Sequence, residues 1–184
     1  MKNLSAFADR LISLLMVFAL LAPGAVLQAH TPYAQWDSFR IRHLHVLTAR
    51  SDLVGDAIAD EWVAVLAEHL PKSKAVVSRS RNLRGIASLL KTDQAKVAVL
   101  SYEQAQAMFT GTSPFEEFGP LPLQVLLDNG EYLLVTRDDL PKEHGFLVVE
   151  TLLDQADRLL LSVPETGPFG MQIHPGAQEV VAHH

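Results

Sequence analysis

Eight polar residues stand at or just beyond the ends of three apolar segments, where their side chains could meet and bind a ligand. The apolar runs end at Leu47, Val77 and Leu100. If these runs are neighbouring parallel strands, the residues after them gather outside the carboxyl ends of the strands, where open α/β sheets bind ligands. Arg50 and Arg79 could then clamp a carboxylate through paired N–H donors. The candidate ligand-binding residues are Thr48, Arg50, Ser51, Arg79, Ser80, Asn82, Ser101 and Tyr102.

The same residue types have a structural alternative. Ser80 or Asn82 can cap the helix that follows, and the N–H groups at that helix start could instead face an anion. The two arginines can be solvated or can pair with the carboxylates of Asp52 and Glu103. The sequence therefore allows both a ligand site and a set of caps and ion pairs.

Three histidines form the candidate metal-binding set. Cleavage after Ala29 would leave His30 with a free amine and an imidazole, and imidazole is a ligand that suits copper. His43 and His45 alternate onto one face of a predicted strand and could supply a further ligand. The alternative is a frayed terminus with two surface histidines. His174 lies beside a Pro-Gly turn, where we expect a structural role.

Enzyme chemistry has little support in the sequence. The acidic pairs Glu116-Glu117 and Asp138-Asp139 are adjacent, so their carboxylates point different ways, and no G-x-S-x-G, H-E-x-x-H or phosphate loop is present. The chain has no Cys, which excludes thiolate catalysis, disulfides and cysteine-ligated metals. Its formal net charge of −6 argues against binding to nucleic acid or anionic membranes. We therefore expect a non-enzymatic protein.

The first thirty residues have the features of a secretory signal. Lys2 and Arg10 precede an apolar run over residues 11–22, and small residues lead to Ala29. The run is shorter than the ~20 apolar residues that a membrane-spanning helix needs. We expect residues 1–29 to be a cleaved signal peptide and residues 30–184 to be a single periplasmic domain; an uncleaved N-terminal anchor is the alternative.

Apolar periodicity predicts alternating strands and helices along the rest of the chain. Predicted strands cover 39–48, 75–77, 97–100, 121–127 and 132–136, and predicted helices begin at Asp52, Asn82, Tyr102, Pro141 and Pro175. Three rounds of strand and helix, with continuous apolar strands, predict a mostly parallel sheet with helices on both faces. Asp128-Asn129-Gly130 predicts a hairpin turn. The predicted fold class is α/β.

The order of several short motifs resembles the first lobe of a periplasmic solute-binding protein. The motifs are RSRNLRGIASLL (79–90), KVAVLS (96–101), FTGTSPF (109–115), DLP (139–141) and IHPGA (173–177). This series, spread over Leu44 to Ala177, is similar to the TAXI-family solute receptors of TRAP transporters. The resemblance implies a lobe of the type 2 periplasmic-binding-protein fold, a small carboxylate-type solute and a TRAP transporter membrane component as partner.

Two features depart from that family. Its first loop is rich in glycine, whereas this chain has Thr48-Ala-Arg-Ser-Asp52, whose side chains crowd a path that glycines would leave open. Such receptors also have two lobes that close on the ligand, whereas here the segment after Leu127 leads directly into the family's late elements. We therefore expect a single lobe, which offers half a cleft.

Three functions remain open from the sequence. The first is a periplasmic binding protein that takes a small anionic solute at the loops after its strands. The second is an accessory or interaction protein that has lost solute binding and docks onto another periplasmic protein or pairs with itself, since a homodimer would rebuild a two-sided cleft. The third is a copper-handling protein that uses His30.

Overall fold

A six-stranded mixed sheet lies at the centre of the computed structural model, which describes residues 43–183. The strands are β1 (His45–Ala49), β2 (Val76–Ser80), β3 (Val97–Ser101), β4 (Leu123–Asp128), β5 (Tyr132–Arg137) and β6 (Gln172–Ile173). Their order across the sheet is β2-β1-β3-β5-β4-β6. β1 is parallel to β2 and β3, and β4 is parallel to β6, whereas β5 runs antiparallel to both of its neighbours.

Six α-helices accompany these strands within residues 43–183. They are α1 (Leu53–His69), α2 (Leu83–Lys91), α3 (Tyr102–Thr110), α4 (Lys142–Leu153), α5 (Ala156–Leu159) and α6 (Pro175–His183). The predicted α/β fold with a mostly parallel sheet is confirmed, while β6 and α5 are too short to give a period in the sequence. Over residues 43–183, no helix combines the length and the apolar character that a membrane crossing requires. The predicted signal peptide lies outside the described residues.

Helices cover both faces of the sheet. On β2, Arg79 contacts two carboxylates of α1, whereas Ser80 lies against Gly85 of α2. Consecutive residues of a strand point to opposite faces, so α1 and α2 lie on opposite sides of the sheet. α4 contacts both α1 and α6, which places these three helices in one layer.

The central strands are buried on both faces, as continuous apolar runs require. Val46–Ala49 of β1, Val97–Leu100 of β3 and Leu133–Thr136 of β5 are buried along their whole length. Trp62 of α1 and Ile86 of α2 close this core from the two sides. The strand ends therefore extend from a fully buried core.

His174 has the structural role that its position predicts. Its side chain is 1% exposed, its Nε2 lies 3.0 Å from the carbonyl oxygen of Leu140, and its Nδ1 accepts the N–H of Gly176 at 3.1 Å. These two bonds fix a neutral ring with the proton on Nε2. Burial lowers the pKa of His174 below its ordinary value of 6.5, although the hydrogen bond to Leu140 acts in the opposite direction.

We expect the protein to lose stability as the pH falls through about 6.5. The lowered pKa means that the folded state binds fewer protons than the unfolded chain, so the stabilisation is complete above the unfolded pKa and declines below it. The slope is at most about 1.4 kcal/mol per pH unit, the limit for one proton. Urea unfolding at about pH 7.5 and about pH 5 measures the loss. His174→Gln should flatten the dependence, whereas His144→Gln, at an exposed position of α4, should retain it; an unchanged slope in His174→Gln would contradict the assignment.

Candidate functional site

Six of the eight polar residues that the sequence predicts for a site lie at one end of the sheet, whereas Thr48 and Arg79 lie within β1 and β2. The carboxyl ends of β1, β2, β3 and β4 meet there with the amino end of β5. We call this surface the strand-end face; it consists of residues 50–55, 80–85, 101–104 and 128–132 together with the segments that contact them. The predicted location of the candidate site thus corresponds to one continuous surface.

Asp52 organises the centre of the strand-end face. Its Oδ1 accepts the N–H of Gly55 at 3.0 Å, which caps α1, and the hydroxyl of Tyr132 at 2.8 Å. Its Oδ2 accepts the side-chain amide of Gln104 at 2.7 Å. Burial acts to raise the pKa of Asp52, but the hydrogen bonds from Gln104, Gly55 and Tyr132 outweigh it and hold the pKa below 3.8. Asp52 is therefore a carboxylate at neutral pH, and it ties β1 to α3 and β5.

Ser101 and Gln104 form a capping box at the start of α3. The Ser101 hydroxyl accepts the Gln104 backbone N–H at 3.4 Å, and the Gln104 side-chain oxygen accepts the Ser101 N–H at 3.1 Å. The amide of Gln104 is therefore oriented with its oxygen towards Ser101 and its nitrogen towards Asp52. Ser101, predicted to bind a ligand, here serves as a helix cap.

Tyr102 makes a second polar link on the same face. Its hydroxyl donates to the Asp128 carboxylate, whose other oxygen accepts the N–H of Gly130 at 2.6 Å. The ring of Phe169 stands edge-on to Tyr102, with the ring centroids 6.2 Å apart. Burial and the hydrogen bond to a carboxylate raise the pKa of Tyr102 to about 12, and the same two causes raise the pKa of Tyr132 to about 12. Both phenols are therefore protonated donors at neutral pH.

Arg79 is held by α1. Its Nε lies 2.8 and 3.0 Å from the two oxygens of Asp56, and its Nη2 lies 2.5 Å from Asp60. These partners differ from Asp52 and Glu103, which the sequence offers as alternatives. The two carboxylates stand one helical turn apart on α1 and occupy the guanidinium that the sequence assigns to a ligand.

The remaining predicted ligand residues are packed at the start of α2, buried in β1 or exposed. Asn82 caps α2 by accepting the Gly85 N–H at 3.0 Å, and the Ser80 hydroxyl faces the same glycine. Thr48 is 1% exposed, and its hydroxyl has no partner among residues 43–183. Arg50 and Ser51 are exposed. Arg81, which is not among the predicted ligand residues, is exposed as well, and neither arginine forms an ion pair within the described part of the chain.

Sequence reasoning misses Gln104, Tyr132 and Asp128 as members of this network. The S-x-x-Q spacing of Ser101 and Gln104 is a capping-box signal that could have identified the first. Tyr132 and Asp128 lie on the face because β5 is inserted between β3 and β4. The predicted hairpin pairs β4 with β5, but it does not predict that β5 also pairs with β3.

Tyr132 also fills space that a ligand would need. A Cβ added to Gly55 would lie 2.9 Å from Cε1 of Tyr132, so the ring is packed directly on the first turn of α1. The sequence predicts crowding here by the side chains of residues 48–52, and Tyr132 from a distant strand adds to it.

Aliphatic side chains border the polar network. Leu53 and Val54, in the first turn of α1, are 78% and 55% exposed. Leu160, which follows α5, is 76% exposed and lies two residues before Ser162, whose backbone pairs with Asp128. Exposed aliphatic side chains therefore lie beside the bonded polar groups.

The histidines predicted to bind metal lie on β1 and upstream of it. Nδ1 of His45 lies 2.7 Å from the hydroxyl of Ser78, and the rings of His43 and His45 are 6.1 Å apart. Residues 43–183 contain no group of three His, Asp or Glu side chains placed to hold a metal ion. His30 lies outside the described residues, so copper binding by these histidines stays a prediction.

The sequence matches no protein-family model and no curated protein. The similarity to the TAXI receptors therefore depends on the short motifs alone.

Proposed function

We propose that this chain is a non-enzymatic binding module, similar to one lobe of a solute receptor, whose strand-end face docks onto another protein. The observation that carries the proposal is the combination of bonded polar groups with exposed aliphatic side chains on one face. Asp52, Gln104 and Tyr132 are bonded to one another, whereas Leu53 and Val54 beside them are open to solvent.

A docking surface accounts for this combination better than a solute site does. Exposed aliphatic residues that are scattered singly are common on soluble proteins, whereas exposed apolar residues that lie together in a patch mark interaction sites. A small-molecule site needs a concave pocket with polar groups available to the ligand. Here those groups already have partners, and Tyr132 fills the space above Gly55.

The chemistry of the network supports a binding role. Both phenols of the face carry a pKa of about 12, so they do not act as bases at neutral pH. Asp52 accepts hydrogen bonds on both of its oxygens, which lowers its basicity further.

Capture of a small carboxylate is the second candidate. Arg50 and Arg81, exposed after β1 and β2, are the groups that favour it, because neither is held by an acidic residue in the part of the chain that is described. The negative charges of Asp52 and Asp128 on the same face oppose an anionic ligand. A periplasmic location and a TRAP transporter partner remain proposals drawn from the resemblance.

Photocrosslinking in the cells that produce the chain tests the docking face. Val54 and Val181 are both 55% exposed, but Val54 lies on the strand-end face and Val181 on α6. With p-benzoylphenylalanine at either position, we expect covalent adducts from position 54 and several-fold fewer from position 181. Equal yields at the two positions, or no adduct from positions 53, 54 and 160, would overturn the proposal.

A further inference from the structure

We propose that the partner of the strand-end face is a second copy of this chain, related to the first by a two-fold axis perpendicular to the sheet. The inference rests on the proposed function, since it uses the same face. It follows from how charge is distributed over the strand ends and from where the exposed aliphatic residues lie on either side of β3.

The strand-end face has a basic half and an acidic half. Arg81 follows β2 and Arg50 follows β1, and both are exposed. Asp128 ends β4 and Glu131 precedes β5, and Glu131 is exposed. Because the strand order is β2-β1-β3-β5-β4-β6, the exposed arginines lie on one side of β3 and the carboxylates of Asp128 and Glu131 on the other. The Asp52 carboxylate also lies on the arginine side, but it is bonded to Gln104 and Tyr132.

This division selects one symmetric arrangement. A two-fold axis along the row of strand ends would set each arginine against the same arginine of the other copy, which is repulsive. An axis perpendicular to the sheet at the end of β3 exchanges β1 with β5 and β2 with β4. It therefore sets Arg50 opposite Glu131 and Arg81 opposite Asp128, and each pair occurs twice in the dimer.

The same axis brings aliphatic residues together. Leu53 and Val54 begin α1, on the β1 side of the face, and α4 lies in the same helix layer as α1. α5 contacts the end of α4, so Leu160 lies on the β4 side of that layer. A rotation about an axis perpendicular to the sheet keeps each layer on its own side, so Leu53 and Val54 of one copy approach Leu160 of the other.

Glu103 provides a further test of where the two-fold axis lies. It begins α3 directly after β3, beside the axis, and it is exposed. Its carboxylate would therefore approach the Glu103 carboxylate of the other copy, and the repulsion between the two negative charges destabilises the dimer. Removal of this charge is expected to strengthen self-association.

Sedimentation velocity on the full chain, purified from the cells that make it, tests the proposal between about 1 and about 100 µM. We expect a concentration-dependent dimer in the unmodified chain. The single variants Arg50→Glu and Glu131→Arg should each raise the dimer dissociation constant at least about tenfold, because every reversed charge acts twice. An equimolar mixture of these two variants should restore the dimer, because the mixed dimer has one pair between positions 50 and 131 with its original polarity and one with reversed polarity, and both are attractive.

Matched controls separate this interface from other association. Lys72→Glu and Lys91→Glu reverse exposed charges at the other end of the sheet and should leave the dissociation constant unchanged. Glu103→Gln should lower it. Self-pairing would be overturned by any of three results: the chain stays monomeric over the whole concentration range, the charge reversals leave the dimer dissociation constant unchanged, or the mixture of the two variants stays monomeric.

The crosslinking experiment distinguishes the failure of this inference from the failure of the proposed function. Adducts from position 54 at twice the mass of the chain support the dimer. Adducts at other masses with a purified chain that stays monomeric overturn the dimer and leave the docking function in place. Absence of any adduct from the strand-end face overturns both.

Discussion

Replacement of Gly176 by alanine is expected to lower the free energy of unfolding by about 3 kcal/mol. Gly176 lies in the first turn of α6, where that helix packs against α4. A Cβ at this position would lie 2.3 Å from the carbonyl oxygen of Lys142 and 2.4 Å from the backbone nitrogen of Phe146. Both atoms belong to the backbone of α4, so the clash is relieved only when the two helices move apart and lose packing.

The test is informative because the expected change in the free energy of unfolding is opposite in sign to that of Gly→Ala in an exposed helix. In an exposed helix, Gly→Ala stabilises by about 1 kcal/mol, because alanine restricts the unfolded chain. Gln178→Ala, at an exposed position of the same helix, is the matched control and should change stability by less than about 0.5 kcal/mol. Urea unfolding followed by circular dichroism gives both values. A neutral or stabilised Gly176→Ala protein would contradict the close approach of α4 and α6.

Asp52→Ala is expected to cost about 2–3 kcal/mol. The substitution removes the cap of α1, which accounts for about 1 kcal/mol. It also leaves the Tyr132 hydroxyl and the Gln104 amide without their acceptor, at about 1 kcal/mol for each half-buried donor. Because Asp52 links β1, α3 and β5, the loss should weaken the whole strand-end face.

Two measurements isolate this network. Asn82→Ala removes a helix cap with one hydrogen bond and should cost only about 1 kcal/mol, so the difference between the two variants reports the links to Tyr132 and Gln104. Spectrophotometric titration should also show the pKa of Tyr132 falling below about 12 in Asp52→Ala, because the hydrogen bond to Asp52 is lost while burial still raises the pKa. Equal losses in the two variants with an unshifted tyrosine would show that Asp52 acts as a cap alone.

The sequence predicts the part of the fold that depends on local patterns. α1, α2 and α3 are each predicted to follow a buried strand. The structure bears out the cap predicted at Asp52 and the alternative cap at Asn82, whereas Ser101, predicted to bind a ligand, caps α3. β6 and α5 have two and four residues, too few for a period to show.

The candidate site is less accessible to sequence reasoning, because its contacts are distant along the chain. Asp52 and Tyr132 are 80 residues apart and meet only through the insertion of β5 between β3 and β4. Arg79 reaches Asp56 and Asp60, whose spacing of four residues marks one face of a helix. That spacing is visible in the sequence, but the choice between these carboxylates and a ligand depends on which side of β2 the arginine points to.

The turn between β4 and β5 has an architectural consequence. It joins two adjacent strands at Asn129–Glu131 and opens directly onto the strand-end face. Adjacent strands lie about 4.8 Å apart, so a whole domain inserted at this turn would be joined to the sheet by two closely spaced connections. Such a domain would lie next to the strand-end face. An exposed turn of this kind accepts insertions without disturbing the sheet. The same framework can thus carry a second domain as a lid from its own chain, or leave the face open to a separate molecule.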